Sequence, residues 1–260
     1  MVRLVCVTRL WHNRPEARNA ESETLLRALD AALDDAERDP DVRVVVIGGK
    51  GDHFSAGHDL KEWREKRSGF GVEDRWRFEE ECYLRYSLRI WHFPKPTIAQ
   101  VQGACVAGSF MVANMCDLVV AADDAFFADP VTLTLGAASV EVLVHPWVMG
   151  LRRAKEFLYT GERMPAAEAY RIGMVSRVVP RGELEPATLA LAEQIAKGPP
   201  FALKLLKRSL NRTADMMGFG PAVQAHFDTH QLSHATDEFR GISQGGMDTA
   251  IARGKARLAE

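Results

Sequence analysis

Residues 42–49, VRVVVIGG, form an almost unbroken run of β-branched side chains closed by two glycines. The run has hardly any polar side to show to water, so it predicts a strand buried on both faces, as in a parallel sheet covered by helices. Residues 97–103 (TIAQVQG) and 117–123 (DLVVAAD) look similar, and 3–11 (RLVCVTRLW) reads as a further strand. Helical stretches fall between these runs. In residues 19–39 (NAESETLLRALDAALDDAERD), Leu25, Leu26, Leu29, Leu33 and Ala36 share one face, with Asn19 or Ser22 as the cap. Strand, crossover helix and strand in this order predict an α/β fold with mainly parallel strands.

The last third of the chain changes character. From Leu184 onward the pattern is nearly all helical, which predicts a core over residues 1–190 followed by a helical C-terminal region over 191–260. Pro165 suits a helix first turn, and Gly161 and Gly173 suit helix ends. A formal net charge of −2 offers no basic field for nucleic acid. No stretch approaches the ~20 apolar residues needed to span a bilayer, and the N-terminal apolar run is too short for a signal peptide. Cys6, Cys82, Cys105 and Cys116 contain no C-x-x-C pair. They read as reduced thiols of a cytoplasmic protein, with neither a disulfide frame nor a zinc site.

Two strand-to-helix bends carry small residues: 51–63 (GDHFSAGHDLKEW), with Ser55-Ala56-Gly57, and 103–117 (GACVAGSFMVANMCD), with Ala107-Gly108-Ser109. In a parallel α/β core such bends collect at one end of the sheet, where ligands bind. Each offers backbone N–H groups at a helix N-terminus, where negative charge is favoured. Two of them converging on one oxygen make an oxyanion hole. Close helix–strand packing is the alternative use of the same small residues.

These residues resemble the enoyl-CoA hydratase/isomerase (crotonase) superfamily. HFSAGHDLKE (53–62) is similar to its first oxyanion loop, and residues 94–130 are similar to its second. GERMPAAEAYRIGMVSRVVPRGEL (161–184) and PPFALKLLKRSLN (199–211) are similar to the segments that follow, in order and at the expected spacing. The resemblance implies a spiral of ββα units with a helical, trimerising C-terminal region, assembled as a homotrimer or a dimer of trimers. It implies an acyl-CoA substrate, with the thioester oxygen on the backbone N–H groups of His58, next to Gly57, and of Gly108. Ala56 and Leu60 match backbone positions that hold the CoA adenine end, and Lys61 and Arg64 stand where they could reach its phosphates. No cofactor or metal is implied.

The same resemblance exposes a gap. The two glutamates that activate water in the family's hydratases fall at Met111 and Val131, and neither side chain can transfer a proton. Glu141, in ASVEVLVHPW (138–147), is the only acid between Val131 and Glu156, near a position where other superfamily members place a catalytic acid. Burial would raise its pKa and suit it to acid–base work. His145 shares its face if the segment is helical, and Asp129 before Pro130 could reach the pocket. Either could instead be structural, and the side chain of His58 could point into the acyl pocket or away. The expected reaction is therefore isomerisation, hydrolysis or atypical hydration. A catalytically silent CoA-thioester binder, or a CoA-independent C–C hydrolase of β-diketones, are the alternatives.

His226, His230 and His234 recur at four-residue spacing on one helix face. Two of them could hold a metal, but a subunit-interface or surface face is the expected reading. Trp76, Phe78 and Tyr83, in the family's variable region, are candidates for lining an acyl pocket, as are Met111 and Met149.

Overall fold

In the computed structural model, which describes residues 2–4, 6–244 and 252, the N-terminal stretch is a hairpin rather than one strand. β1 (Val2–Leu4) pairs antiparallel with β2 (Val7–His12). Cys6 sits between them at φ 71°, a left-handed conformation that interrupts an extended chain. Ser22, rather than Asn19, caps α1 (Glu23–Arg38), its hydroxyl accepting the Leu25 N–H at 3.3 Å. Asn19 is buried, and its amide donates to the carbonyls of Lys50 and His53 at 2.8 Å each. It thereby ties down the bend after β3 (Val44–Gly49), whose six residues are all buried as the β-branched run requires.

After that bend come α2 (Leu60–Arg67), α3 (Val72–Glu79), one π-helical turn over Glu80–Leu84, and α4 (Arg85–His92). The next unit is β4 (Thr97–Val101), β5 (Ala104–Val106) and α5 (Gly108–Met115). It is followed by β6 (Leu118–Ala122), β7 (Phe126–Ala128) and α6 (Val131–Leu135). Each unit thus contributes a strand to a large sheet, a short strand to a small one, and a helix. Ser55 joins the small sheet through an isolated parallel bridge to Cys105, which sets the two glycine bends side by side.

Then follow α7 (His145–Met149), α8 (Leu151–Thr160), β8 (Met164–Pro165), α9 (Ala166–Arg171) and β9 (Arg177–Val179). The large sheet runs β1-β2-β3-β4-β6-β9, parallel except at β1, and the small sheet runs β5-β7-β8. This is a spiral of ββα units, as the resemblance implied, with a helical C-terminal region of α10 (Leu184–Ala196), α11 (Pro200–Met216), α12 (Phe219–His234) and α13 (Asp237–Gln244).

The alternating residues of the central strands divide the core. Val7, Val44, Val46, Ile98 and Val120 meet Leu184, Leu191 and Ala192 of α10 on one face of the sheet. Leu10, Val45, Ile47 and Ala99 meet α1, α4 and α5 on the other. Phe219, Val223 and Phe227 of α12 join this second core and bring the C-terminal part of that helix over the bends. α11 is anchored by Lys207, buried, with its Nζ 2.8 Å from Asp117 Oδ2. The four cysteines are free. Among the described residues, no helix is long and apolar enough to cross a membrane.

Candidate active site

The two bends touch because each has a glycine where a side chain would collide. Gly57 has φ 84°, and a Cβ there would lie 2.5 Å from the Val106 carbonyl oxygen. A Cβ on Gly108 would lie 2.3 Å from His58 Cε1 and 2.7 Å from Glu21 Oε2. Ser109 fastens the bends together, its hydroxyl donating to the Ser55 carbonyl at 2.7 Å and accepting the Val106 N–H at 2.8 Å. Ala107, just before Gly108, is held at φ 52° and ψ −116°, a strained conformation for a residue with a Cβ. The neighbouring N–H groups are engaged: Asp59 donates to the Glu21 carbonyl and Ala107 to the Ala128 carbonyl. Among the described residues, no acceptor takes the N–H of His58 or of Gly108.

The His58 side chain turns inward. Its Nε2 lies 3.0 Å from Glu141 Oε2, its Nδ1 3.2 Å from Glu21 Oε2, and its ring stacks on Tyr83 at 3.7 Å between centroids. Glu21 and Glu141 are both buried. Burial opposes the imidazolium, but the Glu141 and Glu21 carboxylates outweigh it and push His58 up to about 10. For Glu141, burial would raise the pKa, as the sequence led one to expect. The facing His58 charge wins instead and holds the carboxyl well below the usual range. The pair is an ionised one whose two members cannot be titrated independently.

A cavity of about 310 Å³ opens onto this array, lined by Arg18, Ala56, His58, Leu60, Trp63, Arg75, Glu79, Tyr83, Val131, Glu141, His230 and His234, among others. Of the sequence candidates, Ala56, His58, Leu60, Tyr83, Val131 and Glu141 come together here. Met111 and Met149 are buried in the core and do not line the cavity; neither do Trp76 and Phe78, which pack on Phe227 and Tyr83. Lys61 lies outside, in a larger surface groove of about 650 Å³ between α1 and α2. That groove contains none of the buried acid–base groups.

Asp129 and His145 are not in the cavity lining either. Residues 138–144 are not helical, so Glu141 and His145 do not share a helix face; the helix begins only at His145. His145 Nε2 instead lies 3.3 Å from Asp129 Oδ2, and both residues are fully buried. Asp129 also accepts the Ser139 hydroxyl at 2.7 Å and the Val131 N–H at 3.1 Å. Its carboxyl stays low because these partners outweigh burial. The two residues brace the loop that carries Glu141.

The histidine row is not a surface face. His226 bonds the Val140 carbonyl at 2.8 Å, while His230 is buried and, with His234, faces the cavity. His230 Nε2 lies 3.7 Å from Glu141 Oε1 and 3.5 Å from Glu79 Oε2. Glu21 and Glu79 are the acidic groups that sequence reasoning missed. Glu21 lies just before a helix cap and carries no local signal. Glu79 stands in an acidic run that reads as solvated. Only its spacing, three residues after Trp76 and four before Tyr83, could have marked it as the inward member. The π turn at Glu80–Leu84 directly follows Glu79 and carries Tyr83, a placement common at functional sites.

The enoyl-CoA hydratase/isomerase family model matches residues 5–251. A Mycobacterium tuberculosis protein, named only provisionally as the enoyl-CoA hydratase EchA13, is 43% identical over 240 residues, spanning 86% of this chain and 76% of its own. The hydroxycinnamoyl-CoA hydratase-lyase of Pseudomonas fluorescens is 32% identical, over 78% of this chain and 74% of its own. The crystal structure of an enoyl-CoA hydratase/isomerase from Xanthobacter autotrophicus Py2 superposes with a TM-score of 0.87 at 37% identity, covering 96% and 94% of the two chains. The chain therefore belongs to the enoyl-CoA hydratase/isomerase family.

Proposed function

We propose that this enzyme moves a proton within the acyl part of an acyl-CoA, through an enolate held by the two bends. The observation that carries this reading is the Glu21–His58–Glu141 array: the residue whose backbone N–H has no acceptor among the described residues also holds the Glu141 carboxylate by its ring. Glu141 takes a proton from the carbon next to the thioester or from its vinylogous position. The electron pair moves onto the thioester oxygen, between the N–H groups of His58 and Gly108. These donors act on the charge that develops, so they lower the barrier more than they tighten ground-state binding. Return of the proton to a different carbon isomerises the double bond. His58, an imidazolium between two carboxylates, positions Glu141 and keeps the array near neutral as the proton comes and goes.

Isomerisation fits one cavity-lining carboxylate, Glu141, held by His58, with Met111 and Val131 at the two glutamate positions. Water addition is the second reading, favoured by Glu79, which lines the same cavity as Glu141. A panel of enoyl-, hydroxyacyl- and aryl-CoA thioesters in deuterium oxide, followed by mass spectrometry, separates them. Isomerisation incorporates deuterium without adding water, whereas hydration adds one water. Binding without exchange would favour a silent thioester binder, and no thioester binding would favour the β-diketone hydrolase. Glu141→Gln should keep thioester binding and lose about 10²–10⁴-fold in kcat, the usual contribution of a general acid–base. An unchanged kcat would remove Glu141 from the mechanism. Assembly as a trimer or a dimer of trimers is part of the proposal. It is supported by Phe201, Leu206, Leu210 and Met216 exposed along α11, and light scattering tests it.

A further inference from the structure

We propose that Glu79, His230 and His234 form a binding site for a divalent first-row transition ion, such as zinc or cobalt, on the wall of the acyl cavity. The three offer one ligand atom each, and these atoms lie within 4.8 Å of one another. Glu79 Oε2 is 3.5 Å from His230 Nε2 and 3.7 Å from His234 Nδ1. Both are at or beyond the limit of a hydrogen bond, and neither nitrogen has a partner of good geometry. The separations are close to the roughly 3.4 Å between two ligands of a tetrahedral ion with ~2.1 Å bonds.

The surroundings argue for a cation between them. His230 Nε2 and His234 Nδ1 are buried nitrogens without a hydrogen-bond partner, and His230 is only 1% exposed. The other nitrogen of His230, Nδ1, faces the Ala138 carbonyl at 3.5 Å. A proton on Nδ1 leaves the lone pair of Nε2 aimed at the carboxylates of Glu79 and Glu141. That arrangement is repulsive for a lone pair facing anions and is the usual one for a metal-bound imidazole, whose second nitrogen is oriented by a carbonyl. Glu79 is held in place from behind: Gln231 donates to Oε2 at 2.7 Å, and Arg75 lies 3.6 Å from Oε1. His230 and His234 are one helical turn apart on α12, so they present to the same side. Two histidines and one carboxylate with an open side facing a cavity is a donor set that suits zinc, cobalt or ferrous iron. The competing occupant is a proton on His230, making a buried imidazolium between Glu79 and Glu141.

The test uses the full-length protein freed of metal by a chelator, then titrated with cobalt(II) and followed by visible absorption, with zinc counted by native mass spectrometry. The expected result is one ion per chain and cobalt ligand-field bands, with affinity weakened at least about 10-fold in both His234→Gln and Glu79→Gln. His226→Gln, in the same histidine row but bonded to the Val140 carbonyl, should bind as the unaltered protein does. Circular dichroism and melting curves accompany each variant. His234 is only partly buried, so His234→Gln keeps the test open if a change at Glu79 disturbs folding. Absence of stoichiometric binding, or binding indifferent to His234→Gln, overturns the proposal and leaves the proton as the occupant. The readout is the ion itself, so this outcome is independent of whether the acyl-CoA reaction is as proposed above.

Discussion

Replacing Glu21 by Gln tests the buried array without touching the proposed base. His58 is held at about 10 against an ordinary 6.5. At ~1.4 kcal/mol per pKa unit, that difference is on the order of 5 kcal/mol net of burial, so the two carboxylates together contribute more than this. Glu141 has the larger share, since its contact is a hydrogen bond at 3.0 Å whereas Glu21 stands at 3.2 Å. About 2 kcal/mol is then the expected loss of stability in Glu21→Gln at pH 7. For a chain of this size that lowers Tm by about 4–8 °C. The pH dependence has a definite sign. A raised histidine pKa contributes stability that is complete below 6.5 and is lost as pH climbs through about 10. The gap between the two proteins should therefore be full at pH 7 and close in strongly alkaline buffer. Nitrogen-detected NMR titration should find His58 in the variant below its native midpoint but above 6.5, because Glu141 remains. An unaltered His58 titration, or a Tm gap that is as wide at pH 11 as at pH 7, would refute the electrostatic account of the array.

Two further substitutions separate the oxyanion bends from the scaffold beneath them. Gly108→Ala forces a Cβ against the His58 ring, so the bend must move; kcat should fall on the order of 10²–10³-fold while thioester binding survives. Unchanged kcat there would mean that the bends do not hold the oxyanion. Asp129→Asn uncouples a buried partner from His145 and should cost about 3 kcal/mol in chemical denaturation, with kcat of the folded protein retained. A large loss of kcat at unaltered stability would return Asp129 to the site.

The β-branched run at 42–49 could only be a covered strand, and the alternation of such runs with amphipathic helices left few architectures besides a parallel α/β fold. The glycine bends were legible for a similar reason: Gly57 and Gly108 stand where any side chain would collide, a constraint written into residue type. The positions of the acids were not legible in this way. Glu141 stands out by isolation, but spacing offers His145, four residues on, as a neighbour only if the segment is helical. Residues 138–144 are not, so the loop turns Glu141 toward His58, 83 residues earlier, and leaves His145 to Asp129. The direction of the Glu141 pKa reversed for the same reason, since burial can be guessed from apolar neighbours whereas a facing charge depends on tertiary placement. Glu21 meets His58, and Glu79 meets His230, only through the folding of separate helices and loops onto one another, and nothing local to any of them announced it. The sequence by itself determined the layered fold and the two bends, because steric demand and hydrophobic period act on neighbours along the chain. Only the tertiary structure decided which charges meet, because Coulombic partners are chosen by distance in space.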